Sequence, residues 1–162
     1  MKIDIVERSP ARVACLRYTG PVGEPLGRFW RKTVLPWLAD HDVIDCPRYG
    51  VSIDDPTNTP PEQCRYDACV ELPPGLSLPG LAEATVAGGR YAVTCFKGSG
   101  TQIGAAWTAF LNDAVARGLS RDAKRPLFER YPRGALHDER TGVFGCELCV
   151  PLASENPAIR TG

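Results

Sequence analysis

The sequence predicts an α+β fold built from two strand–helix–strand–strand repeats in pseudo-two-fold arrangement. Two segments carry apolar side chains at helical spacing, and short runs with strand-like alternation flank each of them. A segment rich in Pro and Gly divides the 162 residues near their midpoint, and the same order of elements returns after it. We expect one domain over 1–153 and a flexible tail over 154–162. Within the domain, repeat one occupies 1–73, a linker 74–80 and repeat two 81–153.

Repeat one begins with two strands and continues with a helix. Alternation of apolar and polar residues predicts strands over 2–8 and 11–19. A helix is predicted over 22–40, because apolar side chains recur there every four residues, at Leu26, Trp30, Val34 and Leu38. Pro36 must kink or perturb this helix, since it has no amide hydrogen to donate. Two more strands complete the repeat, at 49–53 and 64–72.

Repeat two is expected to follow the same order. Strands are predicted over 82–88 and 90–97, and a helix over 101–117 that ends at Gly118. Shorter strands close the repeat, near 126–131 and 143–152.

The two repeats can be aligned with offsets that drift by only a few residues. Glycine, tryptophan and proline occur in the same order in both halves, which favours an internal duplication over chance likeness between two amphipathic stretches. The matched pairs include Gly20 with Gly98, Trp30 with Trp107, Tyr49 with Phe128, Cys69 with Cys149, and Asp67 with Glu147.

Charge and hydropathy exclude several functional classes. The chain has 19 basic and 19 acidic residues, so it lacks the basic excess of a nucleic-acid-binding domain. The N-terminus has no apolar core of a signal peptide, and no window reaches the roughly 20 apolar residues of a membrane span. We therefore expect no direct contact with nucleic acid or membrane.

The seven cysteines do not suggest a disulfide framework, because their number is odd and their spacing irregular. Cys146 and Cys149 form a CxxC, but they lie in a strand-like run and should face opposite sides of it. We expect free thiols in a reducing cytoplasm, with no metal site and no cofactor.

The motifs, taken in order, resemble those of the GyrI-like small-molecule-binding family. The likeness covers about residues 2–152 and lies in the order of the motifs, since each is weak alone. The first half supplies Tyr18-Thr19-Gly20-Pro21, Trp30, Trp37 and Tyr49-Gly50. The second half supplies Gly88-Gly89-Arg90-Tyr91, Trp107, Glu129-Arg130-Tyr131 and Glu147-Leu148-Cys149-Val150. The family includes the DNA gyrase inhibitory protein and the effector-binding domains of AraC- and MerR-type regulators.

The resemblance implies an antiparallel sheet of about eight strands with two main helices. It also implies a cleft between the repeats that binds amphipathic, often aromatic or cationic, small molecules. Two alternatives belong to the same family: hydrolysis of cyclopropane-containing DNA-alkylating toxins, and inhibition of DNA gyrase, which would then be a protein partner. The chain shows no helix-turn-helix segment, so we expect a stand-alone binding protein or effector sensor.

Glu147 is the position that matches the family's pocket acid on the last strand. A buried carboxylate must be paired or have a raised pKa, which suits a cationic ligand among aromatic rings. The alternative is that Glu147 points to solvent or pairs with Arg65 or Arg90. Asp67, which aligns with Glu147, faces the cleft as a second acid, pairs with Arg65, or lies outside the cleft.

Aromatic residues complete the candidate site. Trp30 and Trp107 align on the two helices, as pocket wall or as core. Tyr131 shares a strand face with Glu129, so its hydroxyl could orient a ligand, or assist Glu147 in activating water if the protein is a hydrolase. The alternative for Tyr131 is that it caps the edge of the pocket or packs in the core. The aligned pair Tyr18 and Phe96 is included as further ligand-binding candidates.

Overall fold

Helices and strands form close to the predicted positions. A computed structural model describes residues 1–154, so the predicted tail lies, from residue 155 onward, outside the described residues. The strands are β1 (Asp4–Arg8), β2 (Ala11–Thr19), β3 (Arg48–Ser52), β4 (Arg65–Glu71), β5 (Ala82–Val86), β6 (Gly89–Gly98), β7 (Phe128–Tyr131) and β8 (Phe144–Pro151). The helices are α1 (Glu24–Phe29), α2 (Leu35–Asp40) and α3 (Ile103–Ala116), and a 3-10 turn spans Pro61–Gln63. None of the helices within the described range is long and apolar enough to cross a membrane.

Pro36 perturbs the helix of repeat one, as predicted. Between α1 and α2 the chain widens into a π-helical turn over Trp30–Val34, and the amide of Leu35 donates to the carbonyl of Trp30, five residues earlier. Because Pro36 has no amide hydrogen, the regular α-helical pattern cannot continue through it. The wider turn accommodates this mismatch, and the three helical segments follow one another without a gap from Glu24 to Asp40.

All eight strands form one antiparallel sheet in the order β1-β6-β8-β7-β3-β4-β2-β5. Strands β1 to β4 of repeat one correspond in order to β5 to β8 of repeat two. Exchanging each strand for its counterpart gives the same order, read from the opposite edge of the sheet. The pseudo-two-fold axis therefore runs between the central strands β3 and β7, and the predicted fold class is confirmed. The sequence did not predict that the first strand of each repeat pairs with the other repeat, β1 with β6 and β5 with β2.

This exchange of edge strands requires the sheet to curl. Strands β1 and β2 are separated only by Ser9 and Pro10, yet they stand first and seventh in the order. Such a short connection reaches only about 10 Å, so the two edges of the sheet must approach each other. The turn between β5 and β6 packs against the connection between β1 and β2, since a Cβ added to Gly88 would lie 2.8 Å from the ring of Pro10.

The two faces of the sheet are packed differently. The helix-free face has one apolar cluster with members from both repeats: Ala11, Val13, Tyr49, Val51, Cys69, Tyr91, Val93, Phe128 and Cys149. The helix face has two clusters, one containing Val34 and Leu38 and the other containing Phe110. Leu78 of the linker is buried in the first of these. The central strands β3 and β7 run between the two helix-side clusters, and they carry the site described next.

Candidate functional site

Glu129 lies at the pseudo-two-fold axis, on the helix face of β7. It pairs with Gly50 of β3 across the centre of the sheet. Gly50 is also the residue that aligns with Glu129 in the other repeat, at the offset that matches Tyr49 with Phe128. The axis therefore passes beside this pair, and repeat two contributes an acid where repeat one contributes a glycine.

Both tryptophans of the aligned helices converge on this carboxylate. The indole nitrogen of Trp107 donates to Oε1 of Glu129 at 3.3 Å. The indole nitrogen of Trp30 donates to the hydroxyl of Tyr66 at 3.2 Å, and that hydroxyl donates to Oε2 of Glu129 at 2.9 Å. The hydroxyl of Tyr131 donates to the same Oε2 at 3.3 Å. We call Trp30, Tyr66, Trp107 and Tyr131 the aromatic cage.

The cage holds the carboxylate with neutral donors. Burial raises the pKa of Tyr66 and of Tyr131 well above the usual value, so both phenols stay protonated and can donate. Burial also raises the pKa of Glu129, although hydrogen bonds from Tyr66, Trp107 and Tyr131 oppose this rise. No ion pair joins Glu129 to an arginine, lysine or histidine of residues 1–154. When ionised, its charge is hydrogen-bonded but not neutralised.

The residues of the cage differ in exposure. Tyr66 is 4% exposed, whereas Trp30, Trp107, Tyr131 and Glu129 each keep part of their surface exposed. The ring centres of Trp30 and Tyr131 lie 5.6 Å apart, with the ring planes tilted by 53°. A carboxylate has about four acceptor positions, and the described contacts use three of them, which leaves one on Oε1.

Gly50 makes room for the carboxylate. A Cβ at this position would overlap the Tyr66 hydroxyl and would come within 2.7 Å of Oε2 of Glu129. Any larger residue would therefore displace the hydrogen-bonded pair, because real Cβ atoms do not approach so closely. The glycine is required by the close approach of these two side chains.

A groove opens beside the cage, between the helix of repeat one and the loop after β7. Its volume is about 640 Å³. Arg48 connects the two features, because its guanidinium lies 5.7 Å from the ring centre of Tyr131 and also lines the groove. Leu35, Ile44 and Pro132 give the groove apolar surface, and Lys32 and Asp45 give it charges of both signs.

The structure places Glu147 on the opposite face of the sheet from the cage. Its carboxylate accepts from Arg8 at 2.6 Å and from Arg130 at 2.7 Å. The expectation of an acid facing the aromatic cleft is therefore not met at this position. The alternative of an arginine-paired Glu147 holds, but its partners are Arg8 and Arg130 instead of Arg65 or Arg90.

The other candidates divide between cage and surroundings. Asp67 forms a two-point ion pair with Arg17 at 2.8 and 3.0 Å, away from Glu129, so no second acid joins the site. Tyr18 donates to the carbonyl of Pro21 at 2.6 Å. Phe96 packs in the core cluster of α3, against Phe144. Of the predicted set, the structure brings together Trp30, Trp107 and Tyr131.

Sequence analysis missed the roles of Glu129, Tyr66 and Gly50. Strand alternation already places Glu129 beside Tyr131 on one face, and the structure confirms this pairing. The alignment of Gly50 with Glu129 was a second available signal, because residues that align and also pair must lie at the axis. Within residues 1–154, no group of acidic, histidine or cysteine residues is arranged to hold a metal ion.

Several known proteins are similar to this chain in sequence or in fold. A DNA gyrase inhibitor of Escherichia fergusonii is 28% identical over 94% of this chain and 98% of its own length. Among solved structures, SAV2435 bound to tetraphenylphosphonium superposes with a TM-score of 0.68 at 14% identity, covering 95% of each chain. A structure described as a hydrolase from Listeria innocua gives a TM-score of 0.63 at 13% identity, covering 94% of this chain and 92% of its own.

Structural likeness at such low identity shows a shared fold. Membership of a family follows from the sequence, because the family described as GyrI-like small molecule binding domain matches residues 1–153. The chain therefore belongs to the GyrI-like small-molecule-binding family, as the order of its motifs predicts.

Proposed function

We propose that this protein binds amphipathic aromatic cations in the cleft between its repeats, with Glu129 as the charge partner and the aromatic cage as the contact surface. The observation that carries the proposal is a carboxylate enclosed by aromatic rings that no described cation neutralises. Such a protein acts by sequestering its ligand or by sensing it. That SAV2435 has been solved with tetraphenylphosphonium supports a cationic ligand.

Electrostatics favours a cation at this position. Two unit charges 4 Å apart attract by about 4 kcal/mol at an effective dielectric constant near 20. A cation over the face of an aromatic ring adds about 0.5–2 kcal/mol. Neutral donors keep the carboxylate of Glu129 oriented without cancelling its charge, so the ligand supplies the missing positive charge.

A bulky ligand requires the cage to open. Trp30 lies in the π-helical turn, and its ring packs 5.6 Å from that of Tyr131. Such turns occur often at functional sites, and a shift of Trp30 would join the cage to the groove beside it. The groove volume of about 640 Å³ lies within the range of roughly 300–1,000 Å³ that ligand pockets usually have.

Inhibition of DNA gyrase is a second candidate function. It is favoured by the curated relatives, since several of those that match most of this chain are named DNA gyrase inhibitor. It would involve contact with another protein and does not require the cage.

Hydrolysis of a bound toxin would use the same cage. Glu129 would act in place of Glu147, with Tyr131 beside it as proton donor. The free acceptor position on Oε1 could hold a water molecule, and burial raises the pKa of this carboxyl, as is common for catalytic acids and bases. Binding and turnover thus share one carboxylate, and recovery of the ligand after incubation separates them.

Replacing Glu129 by Gln should weaken the binding of tetraphenylphosphonium by at least about tenfold, equivalent to about 1.4 kcal/mol. The amide keeps the size of the side chain but carries no charge. Glu147→Gln is the matched control and should change the dissociation constant by less than about threefold, because that residue lies on the opposite face. Titration calorimetry measures both constants, and thermal melts check that both variants fold.

The contrast between these variants decides which acid binds the cation. A larger loss in Glu147→Gln than in Glu129→Gln would overturn the assignment of the site. Chromatography of the ligand after the titration should recover it unchanged, and a new product would favour the hydrolase.

Acidification should weaken cation binding and, over the same pH range, stabilise the ligand-free protein through Glu129. Burial raises the pKa of this group, so the folded protein takes up the proton at a higher pH than the unfolded chain, whose value is about 4.3. The contribution of Glu129 to the free energy of unfolding is fully present below about pH 4.3 and is lost as the pH rises through the raised pKa of this group. Protonation also removes the charge that attracts the cation.

Calorimetric titrations and melts from pH ~4 to ~8 test this coupling. Ion-paired carboxylates such as Asp54 have a lowered pKa, so their contribution to the stability of the fold is lost on acidification. Only the difference between the wild-type protein and Glu129→Gln therefore isolates the contribution of Glu129. Identical pH profiles for the wild-type protein and the variant would contradict the prediction.

Gly50→Ala should destabilise the fold by about 1–3 kcal/mol and weaken tetraphenylphosphonium binding, because the added methyl group displaces Tyr66 and Glu129. Gly104→Ala is the control. A Cβ at Gly104 meets nothing within 4 Å, and this residue lies in the first turn of α3, so alanine there should not destabilise the fold. Denaturant unfolding and titration calorimetry provide the two readouts, and equal behaviour of the two variants would count against the close packing at Gly50.

The gyrase candidate predicts that the purified protein slows the supercoiling of relaxed plasmid by DNA gyrase. Glu129→Gln should retain this inhibition, because the carboxylate is enclosed by the cage. Unchanged supercoiling at a large molar excess of the protein would remove this candidate.

A further inference from the structure

Two thiols face each other on the helix-free side of the sheet. Cys15 of β2 pairs in register with Cys69 of β4, and their sulfur atoms lie 2.7 Å apart. Both are free thiols in the structure. Neither thiol belongs to the candidate site around Glu129.

The hydrogen-bond pattern places this pair where two strands approach most closely. The amide of Leu72 donates to the carbonyl of Arg12, and the amide of Gly20 donates to the carbonyl of Cys64. Even-numbered residues of β2 therefore form the hydrogen-bonded pairs of this ladder, and Cys15 belongs to a non-hydrogen-bonded pair. In such pairs the Cα atoms lie about 4.5 Å apart, within the range of about 4.4–6.8 Å that a disulfide spans.

The two thiols differ in access and in acidity. Cys15 is partly exposed, whereas Cys69 is 3% exposed. The hydrogen bond between the two thiols lowers the pKa of Cys15, and the same hydrogen bond together with burial raises the pKa of Cys69. Cys15 is thus the accessible sulfur that ionises first, and Cys69 is placed to react with it afterwards.

We propose that Cys15 and Cys69 form an oxidation site at which a peroxide converts the two thiols into a disulfide that joins β2 to β4. The thiolate of Cys15 attacks one peroxide oxygen, the O–O bond breaks, and a sulfenic acid and a water molecule result. The sulfur of Cys69 then attacks that of Cys15, the S–O bond breaks, and its oxygen leaves as a second water. Two thiols lose two electrons and two protons, and hydrogen peroxide is reduced to two waters.

The second repeat provides internal controls. At the equivalent register, Val93 pairs with Cys149, so repeat two has one thiol there and cannot form this bond. The exposed Cys95 pairs in register with Glu147 and has no thiol opposite it. The proposal therefore applies to one pair, and it does not rest on the proposed binding of cations.

Peptide mapping of the whole protein tests the proposal directly. Trypsin cleaves after Arg12, Arg17, Arg65 and Arg90, so Cys15 and Cys69 fall in the peptides 13–17 and 66–90, with one cysteine each. The reduced protein is treated with hydrogen peroxide, its remaining thiols are alkylated under denaturing conditions, and the digest is analysed by mass spectrometry without reduction. We expect these two peptides to be linked in the monomer, with two fewer thiols alkylated.

The variants and the stability change add independent readouts. Cys15→Ser and Cys69→Ser should abolish the link, whereas Cys95→Ser should leave it intact. Oxidation should also raise the melting temperature of the wild-type protein by roughly 5–10 °C, because the bond closes a loop of roughly 55 residues. The mapping of the wild-type protein stands even if a variant fails to fold.

Three results would overturn the proposal. One is full alkylation of Cys15 and Cys69 at a peroxide concentration that oxidises Cys95. The second is oxidation of Cys15 to a sulfinic acid without a linked peptide. The third is a link formed only between two copies of the chain, seen as a dimer on a non-reducing gel.

Discussion

The carboxylate of Glu129 at the pseudo-two-fold axis is the constraint on which the arrangement of the site depends. A charge in such surroundings is costly unless hydrogen bonds or an opposite charge compensate it. Three neutral donors from three different elements converge on it, and a fourth group, Trp30, orients one of them. Gly50 leaves the space that these contacts need. The central strands, β4, α3 and the π-helical turn are thereby tied to one side chain.

Duplication explains how a symmetric fold carries an asymmetric site. Residues at equivalent positions meet at the axis, so two copies of one acid would face each other there and raise each other's pKa. Here the equivalent of Glu129 is glycine, and the equivalent of Tyr66 is Cys146. The tryptophans remain as a matched pair on the two helices, and each helps to enclose a single carboxylate. The same asymmetry gives repeat one the facing thiols Cys15 and Cys69.

Local patterns predicted the elements and the repeat, because helical stripes and strand alternation act over short distances. They also predicted that Glu129 and Tyr131 share a face. They did not show which face of β8 turns toward the helices, since this interior strand is apolar on both faces, with Leu148 toward α3 and Cys149 toward the other side. A shift of one residue reverses the face, so Glu147 could be assigned to the cleft. Its partner Arg8 lies on an exchanged edge strand, a long-range pairing that no local pattern indicates.

A structure of the protein with bound tetraphenylphosphonium would show whether Glu129 is the charge partner. We expect the phosphonium between the two tryptophans and next to the carboxylate of Glu129, with Trp30 displaced toward the groove. We also expect the ion pairs of Glu147 with Arg8 and Arg130 to persist on the opposite face. A cation bound beside Glu147, or held in the groove without contact to Glu129, would contradict this assignment.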